Sequence, residues 1–67
     1  MDYVIVDEEL EPGLRAMAVP VRSASGIVLA GLSVSVRAAR VSETEMISRL
    51  LPPIREAAAA IGRLIGS

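Results

Sequence analysis

The chain has 67 residues, 52% of them from the set AVILMFWYC, with one tyrosine, no phenylalanine, tryptophan, cysteine or histidine, and a net charge of −1. A domain this small buries only about 60% of the surface its unfolded chain exposes, and disulfides and the usual zinc ligands are excluded as staples, so self-association or a larger parent fold is the expected source of further stability. The near-neutral charge excludes a general attraction to phosphate backbones or anionic membranes.

Tyr3 to Val6 are β-branched or aromatic and predict a short buried strand, ended by acidic residues and the Pro12-Gly13 turn signal. Five of the eight acids (Asp2, Asp7, Glu8, Glu9 and Glu11) fall within the first eleven residues, as in a solvated loop. A second strand is expected from Leu14 to Arg22, then a polar turn, Ser23-Ala24-Ser25-Gly26, then a third strand from Ile27 to Val36. Ser42-Glu43-Thr44-Glu45 has the form of a capping box and starts a helix over about 43–65. Met46, Ile47, Leu50, Leu51, Ile54, Ala57, Ala58, Ile61, Leu64 and Ile65 hold helical spacing as one apolar stripe. Pro52 and Pro53 interrupt it and predict a kink or two abutting helices; Gly62 costs about 1 kcal/mol relative to alanine, and Gly66 is the expected stop. The longest apolar run, Ile27 to Leu32, is far short of the roughly 20 residues of a membrane span, and no signal-peptide pattern follows Met1, so the cytoplasm is the expected compartment. The predicted fold class is α+β: an antiparallel hairpin with a short extra strand, packed against a kinked C-terminal helix (βββα).

If the four turn residues close the hairpin tightly, Arg22 faces Ile27 and the register follows by counting. Met17, Val19 and Val21 then lie opposite Leu32, Ala30 and Val28, with Val34 and Val36 on the same side, and this apolar face packs against the helix. The other face sets Leu14, Ala16, Ala18 and Pro20 opposite Ser35, Ser33, Gly31 and Leu29. Small side chains leave volume beside a sheet, and two hydroxyls one alternation apart can both donate to one carboxylate or carbonyl, which is the chemistry of a small-molecule pocket wall. The same residues also suit a solvated or interface face. Pro20 marks an edge or a bulge.

The stretch from Tyr3 to Ser35 resembles the C-terminal effector domain of IclR-type transcriptional regulators. The features that carry the resemblance are Asp7-Glu8-Glu9, Gly13, Ala16-Met17-Ala18-Val19-Pro20-Val21, Ser25-Gly26 and Leu32-Ser33-Val34-Ser35, followed by a proline-containing, alanine-rich closing helix. The resemblance implies part of a GAF-like domain that binds a small organic or aromatic acid and controls DNA binding by an N-terminal winged helix-turn-helix. It also implies an effector site at Val6, Leu14, Ala16, Ser33 and Ser35. At two of these positions, Val6 and Ala16, the family typically has aspartate and cysteine, so the implied pocket is drier here and its ligand need not be a small keto acid. Residues 1–67 are thus expected to be the C-terminal fragment of such a domain, with the winged helix-turn-helix absent.

Catalysis is not expected: Ser33 and Ser35 have no histidine to activate them, and Glu8, Glu9 and Glu11 sit in a polar turn. No metal site and no cofactor are implied. The expected partners are further copies of the chain, a small organic-acid or aromatic effector in the intact protein, and DNA only through the missing domain; a membrane is not among them. The competing reading is a pure oligomerisation module or truncated gene remnant without ligand binding.

Overall fold

The computed structural model describes residues 2–8 and 11–65. In chain order they form β1 (Val4–Asp7), β2 (Leu14–Arg22), β3 (Val28–Arg37), a single helical turn α1 (Glu43–Glu45), a π-helical segment (Met46–Leu50) and α2 (Leu51–Ile65). The strands make one antiparallel sheet in the order β1-β2-β3, and the helical segment crosses one face of it. The α+β class and the βββα order are therefore those the sequence predicts. Glu9 of the acidic run and Gly66, the expected helix stop, lie outside the described residues.

The core forms where a period of two meets a period of 3.6. Alternate residues of the central strand, Met17, Val19 and Val21, point one way and are buried against Met46, Leu51, Ile54 and Ala58 of the helical segment. Tyr3, Ile5, Leu32, Val34 and Val36 pack around this cluster. Arg15 points to the same side: its Nε donates to Asp7 Oδ1 at 3.2 Å and its Nη1 to the Val41 carbonyl, which ties β1 and β2 to the loop before α1. Among the described residues no helix is long and apolar enough to cross a membrane.

The hairpin register differs from the tight-turn reading by two residues. Ala16 faces Ser35 rather than Ser33, Met17 faces Val34, Ala18 faces Ser33, Val19 faces Leu32, Pro20 faces Gly31 and Val21 faces Ala30. The turn is the reason. Ser23 N–H donates to the Ile27 carbonyl at 2.9 Å, so three residues, not four, form the tip, and Gly26 takes φ +89°, a left-handed conformation that favours glycine. A bulge beside Val21/Arg22 then leaves Leu29 without a partner on β2. Val28, expected on the covered face, is 57% exposed as a result. Beyond the bulge, from Ala30 to Val36, a slip of two preserves the side of the sheet on which each residue lies, so there the two faces are composed as predicted. Pro20 lies in the central strand, but pairing with β1 reaches only Ala18, so β2 is flanked on one side alone at the proline.

The helix begins with the predicted capping box: Glu45 N–H donates to Ser42 Oγ at 3.1 Å, and Ser42 N–H donates to Glu45 Oε1 at 3.3 Å. The interruption expected at Pro52 and Pro53 is present: the π-helical segment Met46–Leu50 abuts α2 at Leu51, immediately before the two prolines. Neither has an N–H for the carbonyl four residues back, and the chain takes the wider π turn just before them, with Leu51 N–H donating to the Met46 carbonyl. Both prolines then occupy the first turn of α2, where a missing donor is tolerated. The apolar stripe runs through Met46, Leu51, Ile54, Ala58 and Gly62 and then outlasts the sheet. Leu64 and Ile65, expected on the packed face, are 81% and 61% exposed, and Ala57 is exposed as well. Gly62 lies against the carbonyl of Arg22, the last residue of β2, so the residues after it have no strand beneath them.

Candidate ligand-binding face

The side of the sheet away from the helix carries all five residues expected at the site. Val6, Ala16 and Ser35 form one row across the three strands, since Val6 pairs with Ala16 and Ala16 with Ser35. The next row toward the hairpin is Val4, Ala18 and Ser33. On the other side of the Ser35 row, Leu14 pairs with Arg37. The structure therefore brings Val6, Leu14, Ala16, Ser33 and Ser35 onto one contiguous surface, with Ser35 rather than Ser33 beside Ala16.

Burial follows the strand order. Val6, Leu14 and Ala16, from β1 and the central strand, are half-buried, whereas Ser33 and Ser35 on the outer strand are exposed. The serine hydroxyls bonded within the protein are those of Ser23, Ser25, Ser42 and Ser48. Ser33 and Ser35 make no such bond among the described residues, so both hydroxyls can donate and accept toward an incoming group. The result is an apolar floor of small side chains edged by two hydroxyls, open above.

Sequence reasoning passed over two residues of this face. Val4 joins Ala18 in the Ser33 row, and Arg37 stands one alternation beyond Ser35. The signal for Arg37 was available in the alternation of β3, but the tight-turn register ended the strand at Val36 and left the arginine outside the sheet. The three-residue tip and the bulge draw it in.

A sizeable groove lies elsewhere. It encloses about 660 Å³ where α2 meets the hairpin, lined by Val19, Pro20, Ala58 and Gly62 among others and edged by Arg22, Arg55 and Arg63. Arg55 is committed there: its guanidinium donates to the Asp2 carboxylate and lies 5.8 Å from the centre of the Tyr3 ring. That hydrogen bond holds the Asp2 carboxyl below the usual carboxylate range. The groove is the unfilled margin of the core and contains none of the five residues. Among the described residues no cluster of carboxylates is placed to hold a metal ion.

Residues 2–63 match the family model described as the C-terminal domain of the bacterial transcriptional regulator IclR. The chain belongs to this family. It is 52% identical over 50 residues to the Pca regulon regulatory protein of Pseudomonas putida, a match that covers 75% of the chain and 17% of that protein. It is 38% identical over 64 residues to the p-hydroxybenzoate hydroxylase transcriptional activator of Acinetobacter baylyi, covering 96% of the chain and 24% of that protein. The chain thus spans about a fifth of the length of the curated relatives it matches. Among solved structures, a double mutant of the PobR inducer-binding domain from Acinetobacter, in complex with 3-hydroxybenzoic acid, superposes with a TM-score of 0.87 at 36% identity, covering 96% of the chain and 37% of that domain. The family is one of transcriptional regulators, not of enzymes.

Proposed function

We propose that this chain is the effector-sensing part of an IclR-type regulator, and that its open sheet face forms one wall of a site for a small organic or aromatic acid. Occupancy of that site would control DNA binding by a winged helix-turn-helix outside these residues, in a cytoplasmic protein. The observation that carries the reading is the composition of the uncovered face: a floor of Val6, Leu14 and Ala16, with the unengaged hydroxyls of Ser33 and Ser35 along one side. A flat aromatic acid matches such a surface, because its ring covers alanine and valine while its polar atoms meet the serines. The hydroxybenzoate complex of the PobR domain supports the ligand class.

The test is a thermal-shift screen of the chain against aromatic and keto acids, since a ligand that binds only the folded state raises the melting temperature. A serine hydrogen bond contributes roughly 0.5 to 1.5 kcal/mol net, so Ser33→Ala with Ser35→Ala weakens binding by about one to two powers of ten. Ala16→Leu, beside Ser35 and Val6, blocks binding by filling the space above the floor. An unchanged affinity in both variants would reduce the serines to ordinary sheet surface.

A second reading, assembly without a ligand, is favoured by the outer edge of the hairpin, where Ile27, Val28 and Leu29 are 63%, 57% and 43% exposed. Self-association is part of both readings. Concentration-dependent sedimentation together with no response to any acid in the screen selects the second.

A further inference from the structure

We propose that Arg37 is the carboxylate anchor of the effector face and sets its preference for acids over neutral ligands of the same shape. The inference rests on the effector-binding reading of that face and goes beyond it by naming the residue that selects charge.

Three observations carry it. The first is position. Residues 32 to 37 of β3 alternate strictly between half-buried and exposed, so Ser33, Ser35 and Arg37 stand in line on the open side. Successive members are about 7 Å apart along the strand, and an arginine side chain spans that interval back to the Ser35 hydroxyl. The second is the charge of the surroundings. Asp7, the acid of β1, lies on the helix side with Arg15, the Glu8 carboxylate accepts from Gly13 N–H at 2.8 Å, and the other paired strand residues around Ser35 are valine, leucine, alanine and serine. Among the described residues, the ion pairs are Arg15–Asp7 and Arg55–Asp2, and neither involves Arg37. Arg22 lies at the far end of the face, beside the hairpin tip and two alternations beyond the Ser33 row. The third is rigidity. The Arg37 carbonyl accepts from Arg40 N–H at 3.0 Å and Val41 N–H at 3.1 Å, while Ala38 N–H donates to the Gly13 carbonyl at 2.9 Å. The backbone that carries the guanidinium is therefore held from both sides.

The geometry gives each group a task. The guanidinium takes the carboxylate through paired N–H donors, the Ser35 hydroxyl donates to the same group, and the ring lies over Ala16, Val6 and Ala18. Ser33, one alternation further on, is left for a ring hydroxyl.

The experiment titrates the 67-residue chain with 3-hydroxybenzoate and with its uncharged amide, 3-hydroxybenzamide, and follows the backbone amide signals of β3 by NMR. The unsubstituted chain binds the acid about ten- to a hundredfold more tightly than the amide, the range of a hydrogen bond to a charged group. Arg37→Gln removes that preference, bringing the affinity for the acid down to within about twofold of the affinity for the amide. Arg37→Lys retains part of it, keeping the charge but losing the fork. Ser33→Ala with Ser35→Ala weakens both ligands together, which separates the two ideas: loss of both ligands in the serine variant with an unchanged acid preference in Arg37→Gln overturns the Arg37 assignment alone. If the unsubstituted chain binds neither compound, the assignment and the effector reading both fail.

Discussion

At Gly62 the helix packs tightly against the end of β2, and a β-carbon added there would sit 2.2 Å from the Arg22 carbonyl oxygen and 3.3 Å from its carbon. Both atoms are backbone, so no rotamer change can clear them, and Gly62→Ala requires α2 to move off β2 by roughly 1 Å. A radial gap of that size forfeits a quarter to a half of the dispersion attraction across the contact, here that of Ile54 and Ala58 against Val19 and Val21. With overpacking penalties of about 1 to 3 kcal/mol and a fully backbone obstacle, the upper end applies. Alanine returns about 1 kcal/mol through helix propensity, which leaves a net loss of about 2 kcal/mol. For a domain of this size that is a fall of about 10 °C in melting temperature. Thermal and urea unfolding followed by circular dichroism measure it. Ala57→Gly is the control, an exposed position on the same helix where propensity acts alone and the loss is about 1 kcal/mol. A Gly62→Ala variant that melts at or above the temperature of the unsubstituted chain would show that propensity dominates and that the close approach is not a constraint.

Two further predictions concern the ties between elements. Arg15→Ala leaves the Asp7 carboxylate and the Val41 carbonyl without their donor, and is expected to destabilise the fold by about 1 to 3 kcal/mol in urea unfolding; a loss indistinguishable from that of a typical surface alanine would rule out the tie. Asp2 has its carboxyl held below the usual range by the hydrogen bond from Arg55, so folding favours its ionised form. The stability it contributes is therefore present above the carboxyl's unfolded pKa and is lost as pH falls through the lower folded value. Asp2→Asn should flatten the stability profile across that acidic window, and superimposable profiles of the two proteins would refute the linkage.

Legibility followed the range of the interaction responsible. The helix start was readable because a capping box is local: Ser42 and Glu45 satisfy each other within one turn. Glu8 was less readable. Its acidic neighbourhood suggested only a solvated loop, yet its Oε1 accepts the Gly13 N–H at 2.8 Å while its own φ is +57°, so it organises the turn between β1 and β2. The five expected site residues came onto one face because alternation survives a slip of two, but the partner of Ala16 was wrong because loop length and the bulge at Leu29 are not encoded in alternation. Leu64 and Ile65 looked like core because periodicity records which side of a helix is apolar, and it says nothing about where the opposing sheet ends.

The sequence by itself determined the element types, their order, the apolar and open faces of the sheet, and the family. Those properties depend on residue chemistry and on periods of 2 and 3.6, which the chain carries locally. Tertiary structure decided which serine stands beside Ala16, whether Arg37 belongs to the sheet, how two consecutive prolines are absorbed by a π turn, and why position 62 is a glycine. Each of these is settled by how two segments distant in sequence meet: the register of β2 and β3 is set by the geometry of the loop joining them, and the identity of residue 62 by the distance at which α2 packs against the end of β2.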